Sequence, residues 1–113
     1  MASRMLPNPE RAFVAPDKVR DYLLSRSHPV GRFKAAVFAA LGYTQENWET
    51  LRDDILLIAR TGGVVPGQPS AFGQKFEVDG ILVGPSGRSG EFTTVWLLRT
   101  GEDFPRFVTA FPR

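Results

Sequence analysis

The sequence predicts an α+β fold in which N-terminal helices pack on one face of a C-terminal antiparallel sheet of three to four strands. Three observations lead there. Apolar residues recur at helical spacing up to Arg60, strand-like alternation takes over after Thr61-Gly62-Gly63, and the two patterns are segregated rather than interleaved. Segregation argues against the alternating order of a parallel α/β sheet and leaves the second sheet face available for a ligand. A chain of 113 residues, 42% hydrophobic and 23% charged, fits one domain over residues 1–113, helical at about 16–60 and sheet-forming at about 72–112.

Leu6-Pro7-Asn8-Pro9 reads as an extended, turn-like leader, because each proline fixes its own φ and biases the residue before it away from helix. Arg11 to Val14 reads as a short edge strand. Pro16 suits the first turn of a helix through about Leu24, with Val19, Tyr22 and Leu23 at the i, i+3, i+4 spacing of a buried stripe. Ser27-His28-Pro29 breaks it. A second helix is expected from Val30 or Gly31 to Leu41, with Phe33, Val37 and Leu41 on one face, Lys34 and Phe38 on adjoining faces, and Gly42 as a left-handed stop. Thr44 is the expected N-cap of a third helix, Gln45 to Arg60, lined by Trp48, Leu51, Ile55 and Ile58.

Beyond it, Pro66-Gly67-Gln68-Pro69 reads as a loop. Lys75 to Val83 and Glu91 to Arg99 form a hairpin around Gly84-Pro85-Ser86-Gly87, with Phe92, Thr94, Trp96 and Leu98 on one side of the second strand. Arg106 to Phe111 follows as an antiparallel strand. Strict alternation puts Thr109 and Phe111 on one side of it and Arg106, Val108 and Ala110 on the other. Either set can be the core-facing one: Val108 and Ala110, which leaves Thr109 on the open face, or the larger Phe107 and Phe111.

With no cysteine, the chain has no disulfide, thiolate nucleophile or Cys-ligated zinc. The acidic pairs Asp53-Asp54 and Glu102-Asp103 lack metal-ligand spacing, so neither a metal nor another cofactor is expected. The stretch up to Val14 lacks an apolar signal core and no run approaches membrane-spanning length, which predicts a cytoplasmic protein with no membrane partner. The net charge is only +2, but Lys18, Arg20, Arg26, Arg32 and Lys34 are offset locally by Asp21 alone. A local basic patch of this kind suits a phosphate backbone, and is equally common on plain solvated surface.

His28 is the single histidine, the one side chain whose ordinary pKa suits proton transfer near neutrality. His28-Pro29-Val30-Gly31-Arg32-Phe33-Lys34 places an imidazole, a guanidinium and an ammonium at a helix start. Cleavage of RNA by its own 2′-hydroxyl needs those three services: a proton acceptor, a proton donor and positive charge at phosphorus. The competing reading is that His28 caps a turn before Pro29 and that Arg32 and Lys34 are solvated. Thr109 offers a hydroxyl for a phosphate oxygen, while Arg26, Arg88 at the hairpin tip, Arg106 and Phe111 are the candidate substrate contacts. The Gly84 to Gly90 run lacks the Walker ending and reads as a hairpin loop.

The block from His28 to Gly42 resembles the HP-x-GK-x-K-A-x-x-F motif of an uncharacterised bacterial domain family found as stand-alone proteins and toxin-like modules. Leu6 to Glu10, Phe72 to Gln74, Val78-Asp79, Val95-Trp96 and Gly101 to Phe111 look like its further motifs. Its layout is similar to that of the ribonuclease toxin superfamily of barnase, EndoU, colicin E and RelE-like proteins, whose members place active-site residues on an early helix and a T-x-Y element on the last strand. This resemblance implies His28 as acid or base, Lys34 with Arg32 as phosphate stabilisers, and Thr109 as an orienting hydroxyl. The chain departs from the patterns at Arg32, where the family reads Lys, and at Phe111, where the toxins read Tyr.

The expected function is a metal-independent endoribonuclease of bacterial toxin type, acting on RNA, with tRNA among the candidate substrates, and neutralised by a small acidic antitoxin or immunity protein. The alternative is a non-catalytic protein- or nucleic-acid-binding module of a two-gene system. An antitoxin-like role fits the positive net charge least well.

Overall fold

A computed structural model describes residues 5–113. Helices occupy the first half and a four-stranded antiparallel sheet the second, in the order β1-β2-β3-β4. The helical segments are a 3-10 turn (Pro9–Arg11), α1 (Pro16–Lys18), continued by a π-helical turn (Val19–Leu23), α2 (Arg32–Ala40) and α3 (Trp48–Thr61). The strands are β1 (Gly63–Ser70), β2 (Gly73–Val83), β3 (Ser89–Arg99) and β4 (Arg106–Pro112).

The core lies between the helices and one sheet face. Leu51, Ile55, Ile58 and Ala59 of α3 meet Val78 and Leu82 of β2 and Phe92 and Trp96 of β3 in one buried cluster. Phe38 of α2 stacks on Phe92 at 5.2 Å, and Trp96 meets Phe107 of β4 edge-on at 5.4 Å. Between these rings lies a short polar relay: buried Thr94 donates to the Val78 carbonyl and accepts from the Trp96 indole N–H, each at 2.8 Å. Among the described residues no buried side-chain nitrogen or oxygen lacks a partner.

The structure departs from the sequence expectations in definite places. Residues 63–70, including the expected loop Pro66 to Pro69, form β1, paired with β2 through a register shift between Pro66 and Pro69. Proline cannot donate to a ladder, which is why it is tolerated in this edge strand. At the other edge, the expected strand Arg11 to Val14 shrinks to a single parallel bridge between Phe13 and Arg106.

The third helix starts at Trp48 rather than Gln45. Thr44 and Asn47 bond each other reciprocally, Thr44 N to Asn47 Oδ1 at 2.7 Å and Asn47 N to Thr44 Oγ1 at 3.2 Å, so Thr44 closes a separate turn. Among the described side chains of α2 the buried ones are Ala35 and Phe38, with Leu41 just beyond, whereas Val37 is exposed; the side chain of Phe33, expected on the same face, lies outside the described ones. Gly42 does provide the left-handed stop, at φ 97°. Ser86 of the β2–β3 turn then donates to the Leu41 and Ala40 carbonyls, so the hairpin satisfies the end of the helix.

Strict alternation fails in β4. A bulge lies where Val95 pairs with Thr109 but Trp96 pairs with Phe107, leaving Val108 as the extra residue. Phe107 and Ala110 are therefore both buried. Thr109 and Phe111 pair with Val95 and Thr93 of β3. Replacing Thr94 by Val keeps the shape but strands the Trp96 N–H, and is expected to cost about 1–3 kcal/mol, measured by urea unfolding against a Trp96→Phe, Thr94→Val double variant that removes both polar partners.

Candidate functional site

The residues that converge come from three separate pieces of chain. The first is the π-helical turn, where the Leu24 amide bonds the Val19 carbonyl at 3.0 Å, one residue further back than in an α-helix. Val19 and Leu23 are fully buried, while Tyr22 is only half-buried. The second piece is the start of α2. Pro29 has no N–H, and the amides of Val30 and Gly31 both donate to His28 Nδ1 at 3.0 Å. The imidazole thus caps the α2 entry, and the proton of its neutral form sits on Nε2. The His28 amide in turn donates to Ser25 Oγ at 3.2 Å.

Gly31 locks these two pieces together. A Cβ there would lie 1.9 Å from the Tyr22 carbonyl oxygen, so the chains touch backbone to backbone. The Tyr22 and His28 rings consequently meet edge-on, 5.0 Å between centroids. In the first turn of α2, Lys34 extends over the Tyr22 side of this pair. Its ammonium donates to Thr109 Oγ1 at 2.8 Å and to the Tyr22 hydroxyl at 3.3 Å, and lies 5.4 Å from the centre of the Tyr22 ring. Thr109, on β4, is the third piece, 75 residues away in sequence.

The electrostatics are unbalanced. Lys34 is partly buried and touches two neutral hydroxyls, and among the described residues it has no carboxylate partner, the ion pairs lying at Arg11–Asp103, Arg20–Asp21, Arg52–Asp53, Arg106–Glu102 and Arg113–Asp79. A half-desolvated ammonium surrounded by oxygen acceptors of no charge is ready to meet an anion. The same surroundings lower the Tyr22 phenol below its ordinary value, through hydrogen bonding with the Thr109 hydroxyl first and then through Lys34, with a smaller contribution from Lys18; partial burial works against them.

Of the residues expected from the sequence, His28, Lys34 and Thr109 gather around this point, joined by Tyr22. Arg32 is exposed on the first turn of α2. Arg26 lines a different cleft of about 500 Å³, with Ala35, Ala39, Tyr43 and Glu46. Arg88 belongs to the turn that caps the far end of α2, about 10 Å along the helix from Lys34 at 1.5 Å per residue. Arg106 is held by Glu102 through two bonds of 2.9 and 2.8 Å and stacks on Phe104. Phe111 is partly exposed on the outer sheet face, opposite Thr93. Among the described residues no group of three His, Asp or Glu side chains is placed to hold a metal ion.

Sequence reasoning missed Tyr22 as a site residue. Its spacing with Val19 and Leu23 marked it as core, and nothing local signals the π-helical widening that leaves its hydroxyl outside. The T-x-Y pattern asked for a phenol at Phe111; a phenol does stand beside Thr109, but it comes from Tyr22.

Residues 5–113 match the family described as a domain of unknown function, DUF6883. The chain belongs to that family. No curated protein matches it. Among solved structures, the DUF6883 chain is similar to a chain of the contact-dependent growth inhibition toxin–immunity protein complex from Klebsiella pneumoniae 342, with a TM-score of 0.70, 18% identity, and coverage of 93% of this chain and 96% of that one. At that identity the likeness is one of fold. No helix among the described residues of this DUF6883 chain is long and apolar enough to cross a membrane.

Gly31→Ala is expected to force Tyr22 and His28 apart and to destabilise the fold by about 1–3 kcal/mol or more, read as a lowered thermal midpoint, whereas Gly63→Ala, where a Cβ meets nothing within 4 Å, serves as the neutral comparison.

Proposed function

We propose that this chain is an endoribonuclease of bacterial toxin type, cleaving RNA without a metal ion by attack of a 2′-oxygen on the adjacent phosphorus. The observation that carries the reading is Lys34: an ammonium with no carboxylate partner among the described residues, fixed by Thr109 at 2.8 Å and bonded to the Tyr22 hydroxyl, whose ring meets that of His28. A phosphodiester bound there would place a non-bridging oxygen on Lys34, whose charge would be worth most as the phosphorane forms in this partly desolvated position. The His28 Nε2–H is available as a second donor to the phosphate. Thr109 holds the ammonium in place and leaves its remaining N–H for the substrate.

The fold shared with a chain of a toxin–immunity complex supports the toxin setting. In that setting the natural inhibitor is a small acidic protein that brings a carboxylate to Lys34, and the site of action is the cytoplasm, where RNA is found. Arg32 on the same helix turn and Phe111 on the outer sheet face are the candidates for holding flanking nucleotides.

The test is cleavage of total RNA and tRNA by purified protein in the presence of EDTA. Wild type is expected to cut, with Lys34→Met slowed about 10²–10³-fold and Lys34→Arg retaining part of the activity. Intact RNA, with or without Mg²⁺, from folded wild type would remove the nuclease reading; retained RNA binding that weakens steeply with salt would then make the chain a non-catalytic RNA-binding module.

A further inference from the structure

We propose that Tyr22 is the general acid of this site, handing its phenolic proton to the departing 5′-oxygen while Lys34 stabilises the phenolate left behind. The assignment rests on the nuclease reading above and adds to it the group that makes the leaving oxygen leave.

The geometry separates the two proton-bearing side chains by what each can still do. His28 Nδ1 is engaged by the amides of Val30 and Gly31, both at 3.0 Å, so the neutral ring carries its proton on Nε2. A second proton would have to sit on Nδ1, facing two amide hydrogens. The ring therefore donates a hydrogen bond from Nε2, but surrendering that proton would leave an imidazolate. Tyr22 has no such obstacle. Its oxygen accepts from Lys34 at 3.3 Å, which leaves the hydroxyl hydrogen directed elsewhere, and the ammonium that would sit against a phosphate is the one that would neutralise the phenolate.

The groups that face the phenol are Lys34 from α2, the His28 ring from the turn before it, the Thr109 hydroxyl from β4 and Lys18 from α1. None is an anion, and together they favour loss of its proton, in the order Thr109 hydrogen bond, Lys34, Lys18 for those that act on its acidity. A general acid must enter the step with its proton on, the form an ordinary phenol holds at neutral pH.

The 2′-oxygen bonds to phosphorus and gives its proton to water. The bond from phosphorus to the 5′-oxygen breaks, the electron pair leaves with that oxygen, and the oxygen takes the Tyr22 proton. A 2′,3′-cyclic phosphate and a 5′-hydroxyl result, and Tyr22 regains a proton from solvent.

Two measurements on the full chain decide it. The first needs no turnover. The chain has two tyrosines, and burial together with Asp54 pushes Tyr43 up, far from Tyr22. Absorbance titration of tyrosinate at alkaline pH is expected to show one tyrosine ionising below the ordinary phenol value, lost in Tyr22→Phe and shifted upward in Lys34→Met. A Tyr22 that ionises at or above the ordinary value overturns the assignment.

The second compares an oligoribonucleotide carrying the mapped cleavage site with the same strand bearing a 5′-bridging sulfur there, a leaving group that departs without protonation. Tyr22→Phe is expected to slow the oxygen substrate at least 100-fold and the sulfur substrate less than fivefold, and to abolish the decline in wild-type rate as pH rises through the Tyr22 value. Near-normal cutting of the sulfur substrate also shows that the variant is folded. Equal loss on both substrates, or less than threefold loss on the oxygen substrate, overturns the acid role while leaving the nuclease reading intact. Wild type inert on both substrates removes the nuclease reading and the acid role with it.

Discussion

The contact on which the site depends is the one between two backbones, Gly31 against the carbonyl of Tyr22. Only a residue without a Cβ permits it. That approach fixes the distance between the π-helical turn and the entry of α2, and so the edge-on meeting of the Tyr22 and His28 rings. The capped entry of α2 then places Lys34 against the Tyr22 ring and hydroxyl. The sheet contributes one strand to this arrangement, and the bulge at Val108 is what lets β4 bury Phe107 and Ala110 while Thr109 meets the ammonium.

Five arginines of this molecule stand in ion pairs. Arg11, Arg20, Arg52, Arg106 and Arg113 each face a carboxylate, several of them in contact with an aromatic ring as well. Exposed pairs of this sort contribute little to stability, typically under about 1 kcal/mol. Their consequence is local: they lower the positive field elsewhere on the surface and leave Lys34, with its two hydroxyl neighbours, as a site of different character. What sets Lys34 apart is its partly desolvated place against two hydroxyls, rather than a large net charge.

Much of the fold was legible in the sequence because its signals are local. Helical spacing identified the α3 stripe of Leu51, Ile55 and Ile58, the left-handed glycine ended α2 at Gly42, and alternation gave Phe92, Thr94 and Trp96 a common face. The failures came where a local signal was overruled by a distant partner. Pro66 and Pro69 mark a loop until β2 is there to pair with the residues around them. The Thr44 hydroxyl is a helix cap by composition, but Asn47 claims it. Lys34 and Thr109 were each singled out for their chemistry, yet their contact belongs to the tertiary fold. Tyr22 was placed in the core because the period of a π-helical turn is not written in residue types.

The two sheet edges have a further consequence. An open edge offers unpaired amides and carbonyls to any extended chain, and four strands end in two such edges. On β1, Pro66 and Pro69 withhold amide hydrogens and the register breaks between them, so an incoming strand would find an interrupted row of donors. On β4, Phe13 occupies the start of the edge, its amide bonded to the Pro105 carbonyl and its carbonyl to the Phe107 amide, both at 2.9 Å. Both borders of the sheet are thus guarded against strand-by-strand growth into aggregates, by missing donors on one side and by the chain's own early segment on the other.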